Sequence, residues 1–402
     1  MPMIVADPLA GIDRIAIVRS GRLGDLTFAL PALDALRATY PDAELVYLAP
    51  VWAGELLDDR PTVVDRTIAL PPEADDALHG RPLEAGAAQA VDSFLDELRT
   101  ERFDLALQLH GGGRNSNPFV LRIGARHTAG LGTPDATPLE RTVPYIYFQS
   151  EIARLLEVVA RVGARARTVE PELQPTVRER DLAYEAIGGL ERPVVAIGTG
   201  ASDPRRRWPA ASFGRVGAAL AQVGASIVLV GTDDERALSD AALEAAGGSP
   251  VTDLVGRTSL AALAGILGAV DLYIGNDSGP RHLADALGTA TVAVYWCGNL
   301  INAGPFSRTR HRPLLSWRVG CPVCGQGTVE VDCGHDQSFV ADVPEERVLE
   351  AAIDLLEQER LEQPVQRAEP SDETDAAAAR AGQHRDRVGA VAELDDARFG
   401  GR

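Results

Sequence analysis

The sequence contains no lysine: all 39 of its basic residues are arginine, set against 58 acidic residues for a formal charge of −19. Schiff-base chemistry on a lysine is thereby excluded, and a cation that handles an anionic ligand must be a guanidinium. That group stays charged and grips phosphate through two parallel hydrogen bonds. The net acidity argues against nonspecific nucleic-acid binding, so no nucleic-acid partner is expected. An arginine cluster can still outweigh a distant mean field within a Debye length of about 8 Å. Four cysteines are too few for a disulfide scaffold in 402 residues. Long apolar runs are missing too. The longest, Thr258 to Val270, is stopped by Asp271, short of the ~18–20 residues of a spanning helix. The N-terminus lacks a basic stretch followed by an apolar one, so no signal peptide is expected. The expected location is cytoplasmic, with peripheral contact at the inner face of a membrane left open.

What is present is an alternation. With 45% hydrophobic residues, the chain reads as globular and too long for one core. Residues 1–13 read as a loose extension. Strand patterns at "RIAIVR" (Arg14–Arg19), "AELVYLAP" and "DLALQLHGGG" alternate with helix patterns at "LTFALPALDALRATY", "AVDSFLDELRTERF" and "QSEIARLLEVVARVG". "PPEADDALHGRPLEAGA" reads as a loop. A polar stretch over 166–180 separates this block, 14–165, from a second over 181–342. There "RPVVAIGTG", "ASIVLVGTDDE", "DLYIGNDSG" and "TATVAVYW" read as strands between helices. Alternating units of this kind imply parallel sheets covered on both faces. Two such blocks imply an α/β architecture of two Rossmann-like domains facing a central cleft, with ligands beyond the carboxyl ends of the strands. A helix is expected over 343–358 and a disordered tail over 360–402.

Three loops carry candidate chemistry. In "YIGNDSGPRHLADALG" a strand ends, glycines turn the chain and Pro280 opens a helix, where its missing N–H costs nothing. The amides of Ser278 and Gly279 then lie at a positive helix end suited to a diphosphate; Asp277 and Ser278 could equally be helix caps. "GTGASDPRRRWP" runs a strand into Gly198 and Gly200 and then into three adjacent arginines, Arg205 to Arg207. These repel one another on a bare loop and gain from a neighbouring diphosphate. In "VRSGRLGDLTFAL" the spacing Gly21-x-x-Gly24 is neither the dinucleotide fingerprint nor a P-loop. Asp25 is either a cap for the helix that follows or a carboxylate that takes a proton from an attacking hydroxyl.

These segments together resemble glycosyltransferase family 9, the ADP-heptose:lipopolysaccharide heptosyltransferase family. The likeness runs in register over about Arg14 to Leu356. The resemblance implies a GT-B fold with an N-terminal acceptor domain, a C-terminal nucleotide-sugar domain and a final helix crossing back. It implies an inverting transfer from a nucleotide-diphosphate sugar, by family default ADP-heptose, to a glycan or glycolipid of the cell envelope. By position, Asp25 matches the general base. Arg206 falls where the family has a phosphate-binding lysine. Gly200, Arg207, Asp277, Ser278, Gly279 and His282 fall on the donor side, and Arg22, Gly24, His110 and Arg114 on the acceptor side. The chain departs from the family pattern in the glycine-rich His110–Gly113 and at Arg281. No cofactor and no catalytic metal are expected, because no Asp-x-Asp motif stands out. Cys321, Cys324, Cys333 and His335 form a candidate zinc set, although the last pair has one intervening residue where zinc pairs usually have at least two; otherwise they are reduced thiols in a surface loop. His79 and His311 carry no signal. Asp233 and Asp234 read as helix caps, and "LVGRTSL" as a nucleoside contact. The competing readings are a non-catalytic nucleotide-sugar scaffold and a nucleotide-sugar epimerase. The oligomeric state is left open.

Overall fold

The computed structural model describes residues 5–60, 63–327 and 333–366. The first half contributes strands β1 (Arg14–Val18), β2 (Glu44–Ala49), β3 (Arg66–Ala69), β4 (Leu105–Gln108), β5 (His127–Gly132) and β6 (Arg141–Pro144). The second contributes β7 (Val194–Gly198), β8 (Ser226–Val230), β9 (Val251–Asp253), β10 (Leu272–Asn276), β11 (Ala290–Trp296) and β12 (His311–Ser316). They form two six-stranded sheets, ordered β3-β2-β1-β4-β5-β6 and β12-β11-β10-β7-β8-β9. Every pairing is parallel. The central strands β1, β7 and β10 are apolar runs buried almost throughout, as strands covered on both faces must be. This is the GT-B arrangement of two Rossmann-like sheets.

Strand order reverses between β1 and β4 in the first sheet and between β7 and β10 in the second. Neighbouring crossovers diverge at such a point and leave a crevice beyond the strand ends. The loop after β1 holds Arg19 to Arg22 and the loop after β4 holds His110 to Gly113. The loops after β7 and β10 hold Thr199 to Arg207 and Asp277 to Ser278. The sequence candidates thus gather at two switch points because topology opens the sheets there.

The halves meet through the helices Leu23–Thr39 and Gly279–Ala286. A Cβ at Gly24 would stand 3.0 Å from His282 Cδ2, and one at Gly279 3.0 Å from Leu23 Cβ. These glycines permit the close approach. One hydrophobic cluster runs through both halves, joining Leu33 and Leu107 to Val228 and Leu283. A buried ion pair between Arg60 and Glu179, 2.5 Å long, adds a second tie.

Several sequence expectations need correction. The stretch read as a loop at 71–87 contains a helix, Pro72–His79, opened by proline at its first position with acids in its first turn. The extension is not loose from residue 5 onward. Ala6 N–H donates to Ala160 O, and the Tyr40 hydroxyl accepts from Leu9 N–H and donates to Val162 O. The polar 166–180 stretch already contains the start of a helix, Val177–Ile187, capped by Thr176 and Glu179. At Asp233 the cap is Thr232 with Glu235, not the aspartates. The last helix, Glu345–Gln366, continues past 358. Up to Leu355 it is fastened to the second half by Arg215–Glu345 and Arg312–Asp354 ion pairs. From Leu356 on the chain forms a unit of its own; the tail expected at 360–402 lies outside the described residues from 367. No helix among the described residues is long and apolar enough to cross a membrane.

Candidate active site

A cavity of about 510 Å³ opens at the switch point of the second sheet. Gly198 and Gly200 form one wall, Ser278 and Gly279 another, and Gly231, Thr232, Asp233 and Glu235 a third. Thr258 to Leu260 close the far end, and Arg22 and Leu23 of the first half close the near one. A Cβ at Gly200 would lie 1.6 Å from Glu235 Oε1, so only glycine leaves room for that carboxylate. The first amides of the helix Gly279–Ala286 lack intrahelical acceptors, and its cap residue Ser278 makes no side-chain cap bond. Ser278 Oγ and the Tyr273 hydroxyl, both on the cavity wall, are buried beside each other. The helix-end amides suit a polar, anionic ligand.

Arg206 lines a separate, more polar chamber of about 310 Å³, with Asp203, Asn299, Tyr147 and Phe148. Its guanidinium reaches Asp277 Oδ2 at 3.2 Å and Ser202 Oγ at 3.0 Å, and its Nε is buried without a partner. Asp277 is 2% exposed. It accepts from His282 Nε2 at 3.0 Å and from Asn299 Nδ2 at 2.7 Å. Burial works to raise its pKa, but the His282 hydrogen bond and the Arg206 and Arg281 charges outweigh that and hold the carboxyl down at about 2.

His282 does not face the cavity. Arg281 donates to its Nδ1, which places the ring proton on Nε2, and Nε2 donates to Asp277. Burial and the Arg281 charge hold the imidazole below its usual pKa, against the pull of Asp277. Both ring nitrogens are engaged, and the ring meets Phe28 edge-on at 4.5 Å. Its geometry makes it a support for Asp277. Arg281 is itself buried; it pairs with Asp285 at 3.0 Å, and Asp285 pairs with His311 at 2.8 Å. A continuous charged network therefore runs from Arg206 through Asp277, His282, Arg281 and Asp285 to His311. His311 and Asp285 went unnoticed in the sequence; the available signal for Asp285 was the close spacing of Asp277, just before a short helix, with Arg281, His282 and Asp285 on it. Arg207 is turned away, donating to Ala201 O at 2.8 Å.

On the facing side Asp25 sits in the first turn of the helix Leu23–Thr39, two residues beyond Leu23 of the cavity wall. Asp25 is the third residue of the helix, where its side chain closes a capping box on the backbone of Arg22. Oδ2 accepts the Arg22 N–H at 2.9 Å, as a cap does, while the side chain is 41% exposed. Oδ1 lies 3.2 Å from Arg19, a guanidinium only 4% exposed that also donates to Leu109 O. Arg19 is a third residue that nothing in the sequence singled out. Gly24 faces His282 and serves packing, while Arg114 closes on Asp135 with its side chain 73% exposed. A further cavity of about 400 Å³, lined by Leu30, Asp34, Val63 and Arg167, touches neither switch point.

His110 Nδ1–H donates to Ser20 O at 3.1 Å, and its ring stands edge-on to His79 at 4.6 Å. Burial, then the His79 and Arg19 charges, push its pKa down to about 4. The unfolded chain takes up this proton near pH 6.5, the folded chain only near 4. Stability linked to His110 is therefore complete above pH 6.5 and is lost as pH falls toward 4, by at most about 3 kcal/mol. Urea unfolding of His110→Gln should lack that slope; equal slopes in variant and parent would refute the assignment.

Residues 91–314, more than half of the chain, match the profile of glycosyltransferase family 9 (heptosyltransferase). The chain is 27% identical over 370 residues to lipopolysaccharide heptosyltransferase 2 of Salmonella typhimurium, covering 86% of this chain and 99% of that one. Among solved structures it resembles a family 9 glycosyltransferase from Veillonella parvula, with a TM-score of 0.71 at 19% identity over 88% of this chain and all of that one. It also resembles the ADP-heptose lipopolysaccharide heptosyltransferase II of E. coli, with a TM-score of 0.67 at 23% identity over 87% of this chain and 100% of that one. With two Rossmann-like sheets and this match, the chain belongs to glycosyltransferase family 9 and is a glycosyltransferase.

Proposed function

We propose that the protein transfers a heptose from ADP-heptose to a hydroxyl of a lipopolysaccharide-type glycolipid, with inversion at the anomeric carbon. The first half holds the acceptor and the second the donor. One observation carries this reading: the cavity at the second switch point, which Ser278 and Gly279 line, is also lined by Arg22 and Leu23 of the turn that bears Asp25. The names of the Salmonella relative and the E. coli neighbour supply the sugar, the nucleotide and the acceptor class.

In this reading the nucleoside lies toward Gly256 and Thr258 to Leu260. Asp233 and Glu235 offer carboxylates to ribose hydroxyls, and the diphosphate meets the Gly279 amide and Ser278 Oγ. The sugar extends past Arg206 toward the polar chamber. Asp25 takes the proton from the acceptor hydroxyl, which attacks the anomeric carbon from the face opposite the departing diphosphate. Negative charge then grows on the diphosphate, where Arg206 and the helix-end amides are already in place. Preorganised donors of this kind are worth about 3–4 kcal/mol each. Tyr147 and Phe148, 58% and 47% exposed at the chamber, offer an apolar rim to a glycolipid at a membrane surface.

A thermal-shift series with ADP-heptose, other ADP-sugars, GDP-sugars and UDP-sugars tests the donor. A true donor at a hundredfold excess over Kd adds about 2.7 kcal/mol of stability. The expected result is a shift with ADP-heptose and ADP, followed by heptose transfer to a lipid A-core acceptor. A shift only with GDP- or UDP-sugars would reject the donor, and a shift without transfer to any core acceptor would reject the acceptor.

A further inference from the structure

The segment that follows β12 contains four side chains outside the donor cavity that the transfer reaction does not use. Cys321 and Cys324 flank a tight turn. Cys321 N–H donates to Gln326 O and Gly325 N–H to Cys321 O, both at 2.8 Å, and Gly320 pairs with Gly327 in a short antiparallel bridge. Gly325, at φ +75°, takes the left-handed conformation this turn requires. The Val323 N–H points at Cys321 Sγ from 3.4 Å, a contact that favours a thiolate. The chain returns at Cys333 and His335. One ligand atom from each of the four residues lies within 4.8 Å of all the others, and Cys321 Sγ stands 3.7 Å from His335 Nδ1.

A tetrahedral zinc ion with Zn–S near 2.3 Å and Zn–N near 2.0–2.1 Å requires ligand separations of about 3.5–3.8 Å. The four atoms are within about 1 Å of that figure, so small side-chain rotations complete the tetrahedron. A disulfide would use two sulfurs and leave the third and the imidazole without a role, and all the cysteines are free thiols. Three thiolates and an imidazole are soft donors, the set that selects zinc over calcium or magnesium. All four positions are filled by protein, which is the pattern of a structural ion.

Both ends of this segment are attached to the donor site. Trp296 Nε1 donates to Arg318 O at 2.6 Å on one side of the cysteines. On the other, Phe339 N–H donates to Arg205 O at 2.7 Å and Ser338 Oγ to Arg207 O at 2.6 Å. We propose that Cys321, Cys324, Cys333 and His335 form a four-coordinate structural zinc site that fastens the segment after β12, and through it the loop bearing Arg205 to Arg207.

The full chain, purified without chelators or metal-affinity resin, tests this directly. Elemental analysis should find about one zinc per chain. Cys297→Ser should keep it, while Cys321→Ser and Cys333→Ser should lose it. Of the four cysteines, only Cys297 should react with a thiol reagent until a strong chelator is added, when the other three should follow. If the variants fail to fold, cobalt added to the chelated parent still decides: it should produce tetrahedral d–d bands and a thiolate-to-cobalt charge-transfer band. Hydrogen exchange over 316–340 and 201–208 should quicken when zinc is removed. Zinc below about a tenth of an equivalent with no cobalt spectrum would overturn the site, as would four immediately reactive thiols. One equivalent of iron in place of zinc would overturn the metal assignment. Unchanged exchange after zinc removal would overturn the fastening role. None of these readouts depends on the sugar donor, so the zinc site and the transferase reading fail separately.

Discussion

Asp25→Asn should lower kcat about a thousandfold, within the range typical of a general base, while ADP binding stays within about twofold of the parent. The substitution separates the proposed general-base role of Asp25 from its hydrogen bond in the first turn of the helix. An asparagine Oδ1 can still accept the Arg22 N–H that Asp25 Oδ2 accepts at 2.9 Å, so the helix cap survives. The opposite atom becomes an amide NH2 facing Arg19, donor against donor, and nothing there can take a proton. If Asp25 were only a cap, Asn would cost a few tenths of a kcal/mol in stability and almost nothing in rate. Steady-state kinetics, ADP titration and a melting curve of the same preparation distinguish the cases. Turnover within a few-fold of the parent would end the general-base assignment. Loss of ADP binding together with turnover would mean that the near wall of the cavity had collapsed.

The fold was legible wherever an apolar run met a glycine turn. β1, β7 and β10 are buried on both faces, so they appear in the sequence as unbroken apolar stretches. The edge elements were not legible. β3, β6 and β9 are three or four residues long and partly exposed, so they carry neither a run nor an alternation. The helix Pro72–His79 was hidden by its own start signals, since the prolines and acids that open it also mark loops. At the candidate site, position along the chain revealed which residues sit beyond strand ends, because topology decides that. It could not reveal which way they face. His282, Gly24 and Arg207 all lie at the switch points, and all turn toward packing or backbone. Arg19 and His311 act through partners 6 to 90 residues away, and no local pattern records such pairings.

The network behind Arg206 has a physical purpose that its length makes visible. A guanidinium facing a diphosphate needs a counter-charge when the site is empty, or it would swing to solvent. Asp277 supplies that charge, and a buried carboxylate must itself be held by donors on every lone pair. His282 and Asn299 supply those hydrogen bonds, Arg281 fixes the histidine tautomer, and Asp285 with His311 balances Arg281. Each member answers the desolvation of the one before, and in the proposed function the outermost group faces the diphosphate.

Arg206→Ala should therefore lower kcat about a hundred- to a thousandfold, the loss typical of one preorganised donor, and weaken ADP much more than adenosine. In the proposed function the Arg206 guanidinium meets the diphosphate, so a ligand lacking phosphates should barely sense its removal. Arg206→Lys sharpens the test in a chain that has no lysine of its own. The ammonium keeps the charge but not the fork that spans Asp277 and Ser202. It should recover part of the ADP affinity and less of kcat, because charge alone binds the ground state while the fixed fork serves the charge that builds during transfer. Removing the guanidinium also strips Asp277 of a partner, which costs stability, so melting curves must accompany the kinetics. Asp277→Asn in the Arg206→Ala background removes the stranded charge and should restore melting temperature without restoring kcat. Equal weakening of adenosine and ADP would show that Arg206 shapes the cavity without meeting the diphosphate. Recovery of kcat in the double variant would show that its effect on rate was structural.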